Sequence, residues 1–551
     1  MHRIACLLVL LTIAAVAPVS AHEERPTQFP SGNGSVPRYR KSGPALLVCK
    51  GARTLRLIEG LPSAARARNL QLYEECRDDG YRHIQAAVDA VRRVGSRILI
   101  LPGVYREQPY RKPPTGECAA LVDKGSPLTY EEQKACPSVA NLISFFGDGP
   151  DEDIACDNRY CNLQIEGTGK RPSDVIIENG FSKLNAIRAD RADGVYFRNF
   201  TVQNSEFNSL YVIETDGFVI DRVLGRWNDE YAFLTFASDH GLYTRCEAYG
   251  NGDSGLYPGS AADRGHDRPS IEISHCNSHH NLLGYSGTAG NSTYVHDTRF
   301  HHNTLGIVTD SFVAGHPGMP QDSARYEDNL IYSNNEDYYR YWEDGTCDKP
   351  HRQRGYEDGV VCPHFQAPIG VGVLIAGGNE DLVAGNTIYD NWRYGTMLFG
   401  VPASFREEED PAKEFDTSHY NVYRGNTMGV GPEGPMPNGI DFWWDEQGTG
   451  NCWEENDGGE DGLTSDPAML PECVEDPLPG ASVTPKQAFL TPCAAAVPED
   501  PSTYPGCDWF DPPPEPGQGP LPQSHVVSLS TVVALLARWA GCWAQAVHTP
   551  C

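Results

Sequence analysis

A repeated unit of 22 to 24 residues is the feature of this sequence that most restricts its fold. From Gly194 to about Asn391, the unit contains a Gly, alternating apolar residues, a polar turn residue, an Asn about five residues later and a second short apolar strand. The successive Asn residues are 24, 23, 30, 22, 31 and 57 residues apart, which a basic unit with inserted loops explains. The recurring pairs are Asn199 and Asn204, Arg222 and Asn228, Cys246 and Asn251, Cys276 and Asn281, Thr298 and Asn303, Asn329 and Asn334, and Asn386 and Asn391.

The units contain short strands rather than helices. Phe218–Ile220, Leu210–Ile213 and Gly306–Thr309 are rich in apolar, β-branched and aromatic residues and have a period near two. Such strands, joined by tight turns, describe one coil of a parallel β-helix, in which coils stack roughly 4.8 Å apart. Asn tolerates the left-handed turn conformation, and its amide can bond the Asn of the next coil, so the column predicts an Asn ladder.

The residues ahead of the repeat suggest how the first coil is closed. His83–Val94 has the apolar spacing of a short helix, Arg97–Leu101 reads as a buried strand, and a Pro-Gly-x-Tyr turn follows at 102–105. This order resembles the N-terminal cap of the pectin-lyase-like superfamily, and the resemblance covers roughly residues 81–442. It implies an all-β fold, a right-handed parallel β-helix with an N-terminal helical cap. It does not select an activity, because that superfamily holds lyases, hydrolases, epimerases, esterases and adhesins.

Composition and charge divide the chain into five predicted segments. A basic start, an apolar run over Ile4–Val16 and small residues up to Ala21 indicate a secretory signal peptide. After residue 445, Gly, Pro, Asp, Glu and Cys predict a loop-rich tail tied by disulfides. The segments are residues 1–21 (signal peptide), 22–80 (N-terminal extension), 81–445 (β-helix), 446–525 (acidic tail and linker) and 526–551 (apolar terminal segment).

The predicted location is extracellular. Removal of the signal peptide leaves 16 of the 17 cysteines, an even number that favours disulfides and a secreted protein. The apolar stretch Val526–Val547 favours a docked terminal helix. A membrane anchor is the alternative, which would place the protein at the cell surface. The chain has 44 Lys and Arg against 74 Asp and Glu, a net charge of −30, which argues against a nucleic-acid partner.

Several cysteines are predicted to pair. Cys246 and Cys276 occupy the same position in successive coils, and a coil spacing of about 4.8 Å lies within the Cα separation that a disulfide allows. We therefore expect a disulfide between these two coils. Cys156 with Cys161, and Cys347 with Cys362, are expected to close loops.

The histidines form an unusual repeat. His279-His280-Asn281 and His301-His302-Asn303 are 22 residues apart and therefore occupy matching positions in adjacent coils. Stacked imidazoles could act as an acid/base pair near neutral pH, bind a metal, or form a ladder that only stabilises the turn. The sequence leaves these three interpretations open.

Two inserted loops, residues 260–269 and 311–322, are predicted to wall a groove that fits a linear sugar chain. Two kinds of chemistry are compatible with the residues near this groove. In the first, a Tyr or His abstracts a proton beside a uronate carboxylate, and an Arg neutralises that carboxylate. In the second, Asp253 and Asp310 are the two carboxyl groups of a glycoside hydrolase. The candidate catalytic residues are Asp253, Tyr257, His280, His302 and Asp310, and the candidate substrate-binding residues are Arg245, Arg264, Tyr285 and His316. No metal ligands are assigned, and calcium is a candidate cofactor.

By the resemblance and these residues, the sequence favours an extracellular β-helix protein that acts on or binds polysaccharide, as a lyase, hydrolase or epimerase. The alternative is a non-catalytic surface or matrix protein that uses the β-helix as a binding scaffold, so the sequence leaves open whether the chain is an enzyme. The expected partner is a polysaccharide or cell-surface glycan, with membrane contact only through the terminal apolar segment. A neutral polymer suits the negative charge better than an acidic one.

Overall fold

Short parallel strands alternate with tight turns from residue 45 to residue 466 and wind into stacked coils. The computed structural model describes residues 27–519, apart from residues 109, 111–113, 123–127, 129, 149–153, 313–314, 478, 482–483, 485, 488–489, 491–492, 494–498 and 500–506. Each coil contributes one strand to each of three long sheets, here called sheets A, B and C. The chain passes through a coil in the order C, A, B, as in Asn208–Ile213, Asp216–Asp221 and Leu224–Arg226.

Sheets A and B form two sides of the solenoid. Sheet A contains, in spatial order, Ala45–Val48, Arg97–Ile100, Gln164–Gly167, Val195–Arg198, Asp216–Asp221, Asp239–Thr244, Ile271–Ser274, Thr293–His296, Arg325–Glu327, Leu382–Ala384, Val422–Arg424 and Cys452–Glu454. Sheet B contains Gly103–Tyr105, Val175–Glu178, Thr201–Gln203, Leu224–Arg226, Glu247–Tyr249, Asn277–His279, Arg299–His301, Leu330–Tyr332, Thr387–Tyr389 and Thr427–Met428.

Sheet C is the third side and has the longest strands. It contains Asn141–Phe146, Asn185–Asp190, Asn208–Ile213, Tyr231–Phe236, Ser254–Gly259, Leu283–Thr288, Leu305–Asp310, Val371–Ala376, Tyr394–Phe399, Ile440–Trp444 and Ser465–Asp466. A separate antiparallel pair joins Val430–Gly431 to Gly434–Pro435.

The helices of the described residues are short and lie outside the coils. The α-helices are Ala52–Glu59, Ser63–Asp79, Ile84–Asp89, Glu117–Ala120, Tyr130–Ala135, Pro137–Ala140 and Arg340–Glu343. The 3-10 helices are Pro172–Asp174, His351–Gln353, Tyr356–Asp358, Ala403–Arg406, Pro411–Lys413 and Gly459–Asp461. The predicted cap helix is present over Ile84–Asp89, shorter than predicted, and buries Ile84, Ala87 and Val88 against the first coils.

The core runs along the inside of the solenoid because side chains of one register position stack from coil to coil. One interior row of sheet C contains Ile187, Leu210, Phe233, Leu256, Tyr285 and Ile307. All six side chains are fully buried in the main core. The period-two pattern of the strands thus supplies a continuous apolar column.

The Asn ladder is present, but it differs from the prediction in two respects. The amide of Asn228 donates to Asn251 at 2.8 Å, and the ladder continues through Asn281 and Asn303. The left-handed residue is the one before each ladder Asn, as in His280 with φ 53°. Ser205, not Asn204, aligns with Asn228, so this step is 23 residues rather than 24.

Seven disulfides tie the described residues together. Cys246 pairs with Cys276 with Cα atoms 4.6 Å apart, and Cys156–Cys161 and Cys347–Cys362 also form. The others are Cys49–Cys76, Cys118–Cys136, Cys452–Cys473 and Cys493–Cys507. This number of disulfides fits an oxidising compartment.

The coils extend past both predicted domain boundaries. Ala45–Val48 pairs with Arg97–Ile100 ahead of residue 81, and Cys452–Glu454 pairs with Val422–Arg424 beyond residue 445. The predicted signal peptide and the terminal apolar segment lie outside the described residues. Among the residues that are described, no helix has the length and apolar character needed to cross a membrane.

Candidate active site

The outer face of sheet C is covered by other parts of the chain. Its six-residue strands are buried along their whole length, whereas the outward residues of sheet B, as in Glu247–Tyr249, remain half-buried. Phe29, near the start of the described chain, packs on this face, as do parts of the insertion 335–370. A site here therefore lies beneath these covering segments.

Two carboxyl residues immediately precede neighbouring strands of this face. Glu230 and Asp253 hold the same register position in successive coils, and the backbone N–H of Asp253 donates to the carbonyl of Glu230 at 3.1 Å. Phe207 precedes them in this column and Leu282 follows, so apolar side chains flank the pair. Side chains that leave adjacent coils in parallel lie roughly 4.8 Å apart.

These two carboxyls titrate at different pH values. Burial, with the charge of Asp253 beside it, raises the pKa of Glu230 to about 8. Burial also raises the pKa of Asp253, whereas His364 and a hydrogen bond with Tyr231 act to lower it, which leaves it at about 6. Between these pH values Glu230 is protonated and Asp253 is ionised, the division of protonation states that acid/base pairs use.

His364 reaches this pair from the insertion 335–370. Its backbone N–H donates to the carbonyl of Gly252 at 2.9 Å, and its Nδ1 lies 3.9 Å from Glu230 Oε1. Burial acts to lower the pKa of His364, but Asp229, Glu230 and Asp253 raise it to about 9. A histidinium thus lies beside the two carboxyls at neutral pH.

Asp229 anchors the insertion over the site. His364 Nε2 lies 3.1 Å from Asp229 Oδ2, His351 Nε2 lies 3.0 Å from the same oxygen, and Arg354 Nη1 lies 2.5 Å from Oδ1. Tyr356 also donates to Asp229. Although burial acts to raise the pKa of Asp229, the charges of His364 and Arg354 and the hydrogen bonds from His351 and His364 hold it well below its usual range.

A line of hydroxyl groups leads from this pair to Asp310. The Tyr231 ring lies 5.0 Å from the Tyr257 ring, and the Tyr257 side chain hydrogen bonds Thr288. Thr288 Oγ1 donates to Asp310 Oδ2 at 2.7 Å. Burial raises the pKa of Asp310 to about 6, and the pKa values of both tyrosines rise well above their ordinary value for the same reason.

Of the predicted site residues, the structure brings Asp253, Tyr257, Asp310 and His316 to this face. The His316 ring packs edge-on against Phe236, 5.2 Å between centroids, and burial lowers its pKa to about 4. The loop 311–322 that carries His316 therefore covers sheet C, on the side where a groove wall is predicted.

The other predicted residues lie elsewhere. His280 and His302 stand on the sheet B side of the Asn ladder, where their rings stack 5.3 Å apart. Arg245 pairs with Asp221 at 2.8 Å, and Arg264 with Asp239 at 2.7 Å. Both arginines belong to sheet A and its turns.

Tyr285 requires a correction. It is in register with Leu256 and faces the interior, where its hydroxyl lies 3.1 Å from Thr293 Oγ1. Its side chain is fully buried in the core, so the predicted contact with substrate is not met. In a strand of period two, inward and outward positions alternate with each residue, and the outward position here belongs to Ser286.

Sequence reasoning missed Asp229, Glu230, Tyr231, Thr288 and His364. One signal was available for the acids, because carboxyl residues follow the ladder residues Asn228 and Asn251 in successive coils. His364 carries no such signal, because it belongs to an insertion outside the repeat.

Among the described residues, one cluster has ligand atoms close enough for a metal ion. Asp216, Asp239 and His240 place one atom each within 4.8 Å of one another. Arg264 and Arg268 already pair with Asp239 at 2.7 and 2.8 Å, and His240 Nδ1 lies 2.7 Å from Asp216 Oδ1. Calcium prefers six to eight oxygen ligands, so this cluster does not fit it.

Comparison with known proteins gives likenesses of structure only. No family model matches the chain, and no curated protein matches it. Among solved structures, the mannuronan C-5 epimerase AlgE4 A-module of Azotobacter vinelandii has 12% identity and a TM-score of 0.41, with 68% of this chain and 82% of that chain covered. Pectate lyase Pel9A has 12% identity, a TM-score of 0.31 and coverage of 81% and 84%. The periplasmic alginate epimerase AlgG has 11% identity, a TM-score of 0.27 and coverage of 53% and 61%.

The arrangement of the coils identifies the fold. Three parallel sheets, entered in a constant order and capped by a helix at the first coil, form a right-handed parallel β-helix. The chain is a parallel β-helix. This fold presents long, flat outer faces on which stacked side chains form columns, and the carboxyl column of sheet C is one of them.

Proposed function

We propose that the chain is a secreted glycoside hydrolase that acts on a neutral polysaccharide, with the groove over sheet C as its active site. Glu230 is the general acid that protonates the leaving oxygen, and Asp253 is the carboxylate that attacks the sugar. The observation that carries the proposal is this carboxyl pair, in register on adjacent coils and with separated pKa values.

The spacing favours retention of stereochemistry at the sugar. Retaining enzymes hold their two carboxyls about 5–5.5 Å apart, whereas inverting enzymes leave roughly 6.5–9.5 Å for a water molecule. A step of one coil, roughly 4.8 Å, is close to the retaining distance. His364 would stabilise the Asp253 carboxylate and hold the insertion in place.

Elimination or epimerisation of a uronic acid is less well supported. A tyrosine base needs a lowered pKa, whereas burial raises that of Tyr231 and of Tyr257. Neutralising a uronate carboxylate needs a cation, yet Arg245, Arg264 and His364 are each paired with an aspartate. Asp310 and Tyr257 are assigned to sugar binding at the distal end of the groove.

The test is hydrolysis by the chain that begins at His22, assayed for new reducing ends on neutral and acidic polysaccharides. Glu230→Gln is expected to lower kcat by about 10²–10⁴-fold, the usual contribution of a general acid. Asp253→Asn removes the attacking carboxylate and should lower kcat at least as much. Glu272→Gln, a half-exposed glutamate on sheet A, is the matched control and should keep full activity.

The products separate the alternatives. Retained anomeric configuration, read by NMR at early times, supports the proposed pair. New reducing ends accompanied by an unsaturated uronate at the non-reducing end of the products would replace the proposal with elimination. Binding without turnover on any polymer, by a chain with intact folding, would favour the non-catalytic scaffold.

A further inference from the structure

A buried carboxyl group takes the place of an asparagine in a second ladder. In the turn between sheets C and A, Asp381, Asn421 and Asn451 hold one position in successive coils. The backbone N–H of Asp381 donates to Asn421 Oδ1 at 3.0 Å, and that of Asn421 donates to Asn451 Oδ1 at 3.0 Å. The side chain of Asp381 is fully buried, and the proposed hydrolysis does not use it.

The two carboxyl oxygens of Asp381 have different surroundings. Oδ1 accepts two hydrogen bonds, from Gln321 Nε2 at 2.8 Å and from the backbone N–H of Ala324 at 2.7 Å. Oδ2 is buried and has no hydrogen-bond partner. In a protonated carboxyl group the carbonyl oxygen accepts hydrogen bonds and the hydroxyl oxygen carries the donor, so this asymmetry assigns the hydroxyl to Oδ2.

The acceptor for that hydroxyl is the side-chain oxygen of Gln321. Gln321 Oε1 is also buried without a hydrogen-bond partner. This atom and Asp381 Oδ2 each lie 2.2 Å from the position that a Cβ on Gly378 would occupy, so they share the space that this glycine leaves open. Turning the Gln321 amide over does not remove the contact between oxygens, because its NH₂ group can face only one of the two carboxyl oxygens. Two buried acceptors side by side are unfavourable, whereas a proton between them makes a hydrogen bond.

We propose that Asp381 and Gln321 form a protonated acid–amide pair, a latch that holds the end of the loop 311–322 on the solenoid. Two parallel hydrogen bonds close the latch. Gln321 Nε2 donates to Asp381 Oδ1, and the Asp381 hydroxyl donates to Gln321 Oε1. Ionisation of Asp381 removes the second bond and places a negative charge against the amide oxygen. The latch does not depend on the proposed hydrolysis.

The latch lies where the loop rejoins the coils. The backbone N–H of Gln321 donates to Ser311 Oγ at 2.9 Å, which joins the two ends of the loop. The backbone N–H of Asn379 donates to the carbonyl of Gln321 at 3.0 Å. The same loop packs His316 against sheet C. Opening of the latch therefore loosens part of the cover of sheet C.

The surroundings of Asp381 oppose its ionisation. Among the described residues, the charged group that acts on Asp381 is another acid, Asp322. The hydroxyl groups near it in the core belong to Tyr285, Tyr326 and Tyr423. Burial and the charge of Asp322 raise the pKa of Asp381 to about 8, although the two hydrogen bonds to Oδ1 act to lower it.

The latch makes stability depend on pH with a defined sign. The pKa of an aspartate in an unfolded chain is about 3.9, whereas that of Asp381 in the folded chain is raised to about 8. Between these values the folded state binds one proton more than the unfolded state. The stabilisation by the proton is therefore complete below the unfolded pKa and is lost as pH rises to the folded pKa. Each pH unit in this window raises the unfolding equilibrium constant by about tenfold.

The experiment compares urea unfolding of the full chain and of Asp381→Asn between about pH 5 and about pH 7. The introduced amide supplies a donor at the same place and does not titrate. The ratio of unfolding equilibrium constants, wild type over variant, should rise about 100-fold over these two pH units, because only the wild type has the linked proton. Asp267→Asn, at an exposed position, is the matched control, and its ratio should stay constant. A constant ratio for Asp381→Asn would overturn the proposal.

A second measurement needs no variant. Amide hydrogen exchange of residues 321–324 reports the latch directly. After correction for the intrinsic exchange rate, protection of these amides should fall about tenfold between about pH 7 and about pH 9, whereas the backbone N–H of the ladder residue Asn281 should keep its protection. Asp381→Asn should keep the loop end protected at both pH values. Unchanged protection of the wild-type loop end at the higher pH would mean that no latch opens, and the proposal would be wrong.

Discussion

At the residue scale, the candidate site depends on where two carboxyl side chains stand in a column. Glu230 and Asp253 lie between Phe207 and Leu282 at one register position, and this apolar setting removes water from both acids. Burial raises both pKa values. The charge of Asp253 also raises the pKa of Glu230, and the charge of Asp310 also raises the pKa of Asp253. Ionisation of either buried carboxyl lowers the free energy of unfolding, so the pair costs the fold stability. Such perturbed pKa values are typical of functional sites.

The pH dependence of hydrolysis tests this arrangement. Asp253, with a pKa of about 6, must be ionised, and Glu230, with a pKa of about 8, must be protonated. The ratio kcat/KM is thus expected to rise as pH passes about 6 and to fall as it passes about 8. Glu230→Gln should remove the alkaline limb together with most of the rate. A profile that is flat from pH 5 to pH 9 in the wild type would contradict the assignment.

A second prediction at this scale concerns the ladder. Asn303 accepts from the amide and the backbone N–H of Asn281 at 3.2 and 2.9 Å and donates to Asn334 at 2.9 Å. Asn303→Ala leaves these buried groups without partners, so unfolding free energy should fall by about 2–4 kcal/mol, measured in urea. Asn33→Ala, at an exposed position, should change it by less than about 0.5 kcal/mol. An equal loss of unfolding free energy in both variants would mean that the ladder makes no specific contribution to stability.

At the scale of elements, the periodic parts of this molecule could be predicted from sequence and the aperiodic parts could not. The coils, the ladder and the Cys246–Cys276 disulfide follow from a spacing that the sequence displays. Tyr285 was assigned to the wrong face because a one-residue difference in a period-two strand reverses the direction of the side chain. His364 could not be placed, since its position depends on how the insertion folds back on Gly252.

The disulfide within the insertion gives an element-scale prediction. Cys347 and Cys362 close a loop with a sequence separation of 15, and Cys362 lies two residues before His364. Removing both sulfurs by Cys347→Ser/Cys362→Ser loses about 3 kcal/mol of loop-closure stabilisation. We expect activity to fall at least tenfold, because His364 loses its fixed position, while the far-ultraviolet circular dichroism of the coils is unchanged.

The matched control is Cys452→Ser/Cys473→Ser, which removes a disulfide of similar separation in the last coils, remote from the carboxyl pair. It should keep activity below its own melting transition. If both double variants lose activity together with their circular dichroism signal, the effect is on global folding and the positioning role of the insertion is wrong.

At the scale of the whole molecule, the net charge of −30 selects among substrates. The two arginines predicted to bind substrate are each paired with an aspartate, Arg245 with Asp221 and Arg264 with Asp239, and Arg268 pairs with Asp239 as well. An acidic polymer that approaches this surface meets repulsion, whereas a neutral polymer does not. The charge distribution and the carboxyl pair therefore favour the same class of substrate.

Salt dependence measures this selection directly. Raising the ionic strength from about 0.01 M to about 0.15 M shortens the screening length from about 30 Å to about 8 Å and removes most long-range repulsion. KM for a neutral polymer should stay within about twofold over this range, because no net charge is brought to the surface. KM or Kd for an acidic polymer of matched length, measured on the same chain, should fall several-fold as salt rises. An acidic polymer that binds more tightly at low salt would show a local positive surface strong enough to outweigh the net charge, and the neutral-substrate assignment would then be wrong.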